Sequence, residues 1–146
     1  MPDVATKTRL ARDRRQKKSA STQAGEFVRQ EMDHIRQGKH GARSAKQAIA
    51  IGLSEARRAG VKVPAKKSTT TAATRRKAKQ DTAAAKRSGK PSPTRSRATK
   101  QALKREPRSA ASKTALSRQA RKAAAKRSAS SRSASAKKAA RTRARR

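Results

Sequence analysis

Bulky apolar side chains recur with helical spacing in only one quarter of this chain. Ala24, Phe27, Val28, Met32 and Ile35 follow at intervals that gather them on one helical face. Thr22 is placed to cap that helix ahead of Glu26, an acid favoured in a first turn, and Gly38 and Gly41 stop it. A second stripe, Ala45, Ala48, Ile49, Leu53 and Ala56, predicts another helix. Ser44 with Gln47 three residues on has the form of a capping box, and Gly60 follows Arg57-Arg58-Ala59 as a C′ glycine. The pattern therefore predicts two amphipathic helices, about residues 23–37 and 45–59, joined by Gly38-Lys39-His40-Gly41-Ala42-Arg43 into a helical hairpin.

Outside residues 23–63 the pattern fades. Residues 1–22 read as a basic arm, and residues 64–146 as a tail of Ala, Lys, Arg, Ser and Thr whose bulky aliphatic residues are Leu103 and Leu116. The chain has one Phe, no Tyr and no Trp, and most of its 32% hydrophobic fraction is alanine. Ordering a backbone residue costs roughly 1–2 kcal/mol, and low hydropathy with high charge is the composition that fails to repay it. The expectation is thus a mostly disordered chain around a small all-α helical hairpin. Transient or partner-induced helix is expected in the tail, for example over Ala110 to Arg127, interrupted at Pro91, Pro93 and Pro107. A hairpin with about nine large apolar residues, Val61 and Val63 included, is small for independent stability. A homodimer through residues 23–63, or DNA, is one way to complete its core.

Charge narrows the function. The 43 Lys and Arg against 8 Asp and Glu give a net charge of +35. By segment the net charge is +5 over residues 1–23, +3 over 24–60 and +27 over 61–146. Such an excess calls for a polyanion, and neutralising a phosphate releases condensed counterion without demanding any particular geometry. The cations expected to meet phosphates are Lys39, Arg43 and Lys46 near the glycine loop and Arg57 and Arg58 at the end of the second helix. In the tail they are Lys66, Lys67, Arg75, Arg76, Lys77, Arg95, Arg97, Arg121, Lys122, Lys126, Arg127, Lys137, Lys138, Arg141, Arg143, Arg145 and Arg146. Phe27, on an apolar helix face, reads as core and not as a base-stacking platform, which favours duplex DNA over sequence-selective RNA reading. RNA binding, as a chaperone or ribosome-associated factor, is the alternative.

Other chemistry finds little footing. There is no cysteine, hence no disulfide, thiolate zinc site or cysteine nucleophile. His34 and His40 stand six apart, not at the i, i+4 spacing of a helical metal site, and no carboxylate pair has acid-base spacing. The expectation is no enzyme, no cofactor, no metal. The loop from Gly38 to Lys46 combines glycines, cations and a helix amino terminus, as a phosphate cradle does, but lacks Walker A spacing. Ser92-Pro93-Thr94-Arg95 matches the Ser/Thr-Pro-x-Lys/Arg turn of linker-histone tails, but four residues match readily in such a tail and a plain Pro-containing linker is the favoured reading. Phosphorylation in the Ser/Arg run from Ser128 to Ser135 would lower the tail's charge. The amino terminus has no apolar run of a secretory signal, and the longest apolar run, Ala48 to Leu53, is far short of a spanning helix. A membrane-active cationic peptide needs a bulkier apolar face than the tail's alanines supply.

The segment Ser44-Ala45-Lys46-Gln47-Ala48-Ile49-Ala50-Ile51-Gly52-Leu53-Ser54-Glu55-Ala56-Arg57-Arg58-Ala59-Gly60-Val61-Lys62-Val63-Pro64 resembles the core of a family of small basic bacterial proteins known as a domain of unknown function and often labelled DNA-binding. The resemblance reaches back more weakly through Gly25-Glu26-Phe27-Val28 and Gly38-Lys39-His40-Gly41. Beyond residue 64 the chain is similar in composition to bacterial linker-histone-like tails. The resemblance implies a histone-like, nucleoid-associated protein of the cytoplasm that binds and compacts DNA, and carries over no catalytic or ligand residue.

Overall fold

Helix formation extends well beyond the two amphipathic stretches. The structure, a computed structural model, describes residues 2–63, 71–86 and 92–144. Among them run seven α-helices: α1 (Val4–Arg15), α2 (Ala20–Arg36), α3 (Ala45–Arg58), α4 (Ala72–Ala84), α5 (Pro93–Lys104), α6 (Lys113–Ala125) and α7 (Ala129–Ala144). A 3-10 turn, Arg108–Ala111, precedes α6. The expected disordered chain is therefore corrected to a largely helical one, with helices in the amino-terminal arm and throughout the tail. Alanine, lysine and arginine, which composition alone marks as tail-like, are also strong helix formers.

The hairpin forms with sharper ends than the pattern predicts. Ser19 and not Thr22 caps α2, its side chain accepting from Thr22 N at 3.3 Å. Gly38 leaves the helix at φ +75°, and Gly60 leaves α3 at φ +84°, a region open to glycine at little cost. Ser44 caps α3 by accepting from Gln47 N at 3.2 Å, while Gln47 Oε1 accepts from Arg43 N at 2.8 Å, one residue before the reciprocal bond of a capping box. The two helices cross closely because Gly52 lacks a side chain: a Cβ there would sit 2.7 Å from Val28 Cα.

Small side chains build the rest of the interior. One cluster joins Met32, Ile35, Ala42 and Ala48 to Ala110 and Ala111, with Val28, Ile49 and Leu116 packed against it. The other joins Phe27, Ala24, Ala56 and Val61 to Leu10 of α1. The arm and the tail thus each contribute residues to the core. Buried alanine loses almost no side-chain entropy and lets backbones approach, so a core short of large residues still closes. Val4 is the one large apolar side chain left exposed among the described residues. The hairpin core is thus completed in part from within the chain, by Leu10 on one side and by Ala110, Ala111 and Leu116 on the other.

Polar anchors fix these additions. Leu103 O accepts from Gly41 N at 2.8 Å, and Pro107 O from Ala42 N at 3.1 Å, so residues 103–107 lie along the glycine loop. They pass so near that a Cβ on Gly41 would overlap Glu106 O. Arg36 Nε donates to Ala111 O at 3.2 Å. On the other flank α4 docks on α3 through buried Ala78 and Asp81. Asp81 accepts from Ser54 Oγ at 2.7 Å, Lys77 Nζ at 3.0 Å and Arg58 Nε at 3.2 Å. Burial alone raises the Asp81 carboxyl; the bonds from Ser54 and Lys77, with the two cationic charges, outweigh it and hold the group below its ordinary pKa. Pro93, expected to interrupt helix, instead opens α5 at its first turn, where its missing N–H costs nothing. Ser92-Pro93-Thr94-Arg95 is thus a helix start.

A candidate phosphate-binding interface

The acids and the cations are distributed very differently. Asp3, Asp13, Glu26, Glu31, Asp33, Asp81 and Glu106 each lie in an ion pair within the fold, imidazole partners included. From Pro107 to Arg146 there are fourteen Lys and Arg and no acid. The described part of that stretch is the 3-10 turn, α6 and α7.

The sequence-selected cations divide accordingly. Arg58 and Lys77 are bound to Asp81, and Arg57 Nε donates to Val63 O at 3.3 Å, so these three are structural. Lys39 is half exposed, 4.0 Å from Asp3. Arg75 lines a shallow groove with Lys79 and Lys86 beside Val63, and Arg76 is exposed on α4. Arg95 and Arg97 are exposed on α5. Arg121, Lys122, Lys126, Lys137, Lys138, Arg141 and Arg143 are exposed on α6, α7 and their junction. Arg127 reaches along the first turn of α7, donating to Ser131 O at 2.9 Å and to Ser131 Oγ at 3.0 Å, while Ser128 Oγ accepts from Ser131 N at 3.2 Å as the cap. Lys66, Lys67, Arg145 and Arg146 lie outside the described residues.

Two separate stretches meet in an open groove of about 380 Å³. Arg43 and Lys46 line it from the start of α3, and Arg118 and Lys122 from α6. Burial of Ala110 and Ala111 in the hairpin core, with Leu116 packed on it, positions α6. Ser44 and Ser112 cap the two helices there, Ser112 accepting from Ala115 N at 3.1 Å. Both amino termini thus reach the groove, adding unsatisfied N–H groups and the positive end of a helix dipole to four cations. Arg43 is 82% exposed and only 3.6 Å from Glu106; Lys46, Arg118 and Lys122 have no acidic partner among the described residues. The arrangement can accept an anion such as a phosphodiester.

Sequence reasoning named Arg43, Lys46 and Lys122 but missed Arg118 and the convergence itself. Its available signal was spacing: Arg118 and Lys122 are four apart and share a face of α6, two residues beyond the apolar Leu116. Beyond the groove, α7 extends as a 16-residue helix with all described side chains exposed, about 24 Å long at 1.5 Å per residue.

A second cluster lies under the glycine loop. Glu31 is 1% exposed, and one donor atom each from Glu31, His34 and His40 all fall within 4.8 Å of one another. Burial pushes the Glu31 carboxyl above its ordinary pKa, against the pull of His40. The His-to-His interval of six conceals this grouping, whereas Glu31-x-x-His34, three apart on α2, signals it.

Residues 14–67 match the model of a family of unknown function, DUF6496. The matched segment, little more than a third of the chain, holds the end of α1, α2, the glycine loop and α3; α4 to α7 lie beyond it. No curated protein matches the chain, and no solved structure does. No helix among the described residues is long and apolar enough to cross a membrane.

Proposed function

We propose that this is a DNA-binding protein of the histone-like, compacting type, which grips the phosphate backbone of the duplex with little base preference. The observation that carries the reading is the acid-free stretch of α6 and α7, of which α6 brings Arg118 and Lys122 to the groove shared with Arg43 and Lys46. Helical order makes the binding surface pre-formed, so less chain entropy is lost on binding than a flexible tail would lose. The packed core holds α6 through the 3-10 turn and α3, and acids of the fold are engaged in ion pairs away from it. No base-stacking aromatic is presented: Phe27 is fully buried.

Titration of the full chain against duplex DNA over a range of salt tests the proposal. If about ten phosphates are neutralised, log affinity falls against log salt with a slope near −9. A flat response contradicts backbone neutralisation. Competition by structured RNA of equal length at matched salt separates the two nucleic acids: duplex DNA is expected to win, and a clear preference for RNA would move the protein to the RNA-binding class.

A further inference from the structure

The cluster beneath the glycine loop is built like a cation site. Glu31 is buried on α2, one turn from His34, and the chain reversal after Gly38 brings His40 back over it. Nε2 of His40 stands 3.5 Å from Glu31 Oε2. On the far side of that ring, Nδ1 lies 3.1 Å from Gly41 O, a carbonyl that accepts from it, which fixes the ring with Nε2 turned toward the carboxylate. The His34 ring is held in the same way by Asp3, whose Oδ2 is 2.8 Å from His34 Nε2.

Independently of this grouping, Glu31 Oε1 is buried with no hydrogen-bond partner among the described residues, and so is Glu55 Oε2. Unpartnered buried carboxylate oxygens are costly and uncommon. A divalent ion held by Glu31, His34 and His40 would relieve that cost for the Glu31 carboxylate. Geometry favours it too: donors about 2.1 Å from a tetrahedral ion stand about 3.4 Å apart, close to the His40–Glu31 separation. Two imidazoles and one carboxylate form a borderline-soft set suited to zinc, and the backbone and carboxylate partners of the rings are the supports that metal-binding histidines typically have.

We propose that Glu31, His34 and His40 bind one divalent transition-metal ion, zinc by preference, which staples the glycine loop to α2. The loop continues directly into Arg43 and Lys46, so the staple would steady one wall of the phosphate groove without touching the nucleic acid. The inference does not depend on the DNA-binding reading, because it concerns metal uptake by the protein alone.

The test is titration of the untagged full-length chain with zinc, followed by calorimetry and thermal unfolding, with cobalt as a coloured substitute. Expected are one ion per chain, a rise in the unfolding temperature, and cobalt absorption of the tetrahedral kind. His40→Ala, a loop substitution, should weaken zinc binding by at least about 100-fold while leaving the helical circular dichroism intact. Glu31→Gln should do the same. Absence of saturable zinc binding by the wild-type chain would overturn the proposal, as would binding that His40→Ala and His34→Ala leave unchanged. If a variant loses its helical signal, the wild-type thermal shift decides alone: no rise with zinc overturns the site.

Discussion

Gly52→Ala is expected to destabilise the fold by about 2 kcal/mol, and Gly25→Ala to stabilise it by up to about 1 kcal/mol, although both place alanine inside a helix. Replacing a mid-helix glycine by alanine gains about 1 kcal/mol wherever there is room. Around Gly25 there is room, since nothing lies within 4 Å of an added Cβ. At Gly52 the new carbon would stand 2.7 Å from Val28 Cα, 3.0 Å from Val28 N and 3.1 Å from Phe27 O, all backbone atoms. Side chains can rotate away from such a contact, whereas α2 and α3 can relieve it only by separating. Overpacking of this kind costs roughly 1–3 kcal/mol, and here it disturbs the contact that holds Phe27 and Ala48 in their clusters. Chemical denaturation of the two variants measures both signs. Equal stabilisation by the two substitutions would mean that the helices do not cross at Gly52.

The second large effect concerns charge. Substituting Arg118, Arg121, Lys122, Lys137, Lys138 and Arg141 together by glutamine should flatten the salt slope for duplex DNA by about five and weaken binding at least about 100-fold at low salt. Substituting Arg57, Arg58 and Lys77, which the fold already occupies with Val63 and Asp81, should alter stability more than the slope. The glutamine changes fall on exposed positions of α6 and α7, so the fold should survive them. Binding that weakens equally in both variants would mean that net charge alone acts, with no contribution from where the fold places it.

What the chain discloses before folding depends on the kind of interaction. Helical periodicity is carried by large apolar side chains, so α2 and α3 were legible, together with Ser44, Gln47 and Gly60 at their ends. The docking of α1 and of the tail was not, because it runs through groups whose partners are remote in the sequence and whose types suggest no burial. Ala110 and Ala111 look like any other alanines in a low-complexity run, yet both are buried against Met32, Ile35 and Ala48. Asp81 looks like a stray acid, yet it gathers Ser54, Arg58 and Lys77. Low hydropathy and high charge point to disorder, but alanine costs little side-chain entropy to order and a few well-placed acids neutralise the cations nearest the core. The candidate interface was half legible: the charge excess and the loop Gly38 to Lys46 are visible in the sequence, but their meeting with α6 is a product of tertiary structure. The Glu31–His34–His40 grouping stayed hidden because it joins a helix face to the loop beyond it.

Lysine acetylation of the full-length protein, mapped with and without duplex DNA, tests the central claim most directly. The account predicts that Lys46, Lys122, Lys126, Lys137 and Lys138 are protected by DNA, while Lys18 and Lys77, already bound to Asp13 and Asp81, react alike in both states. Uniform protection of every lysine, or protection confined to α1 and α4, would contradict an interface formed by α6, α7 and the start of α3.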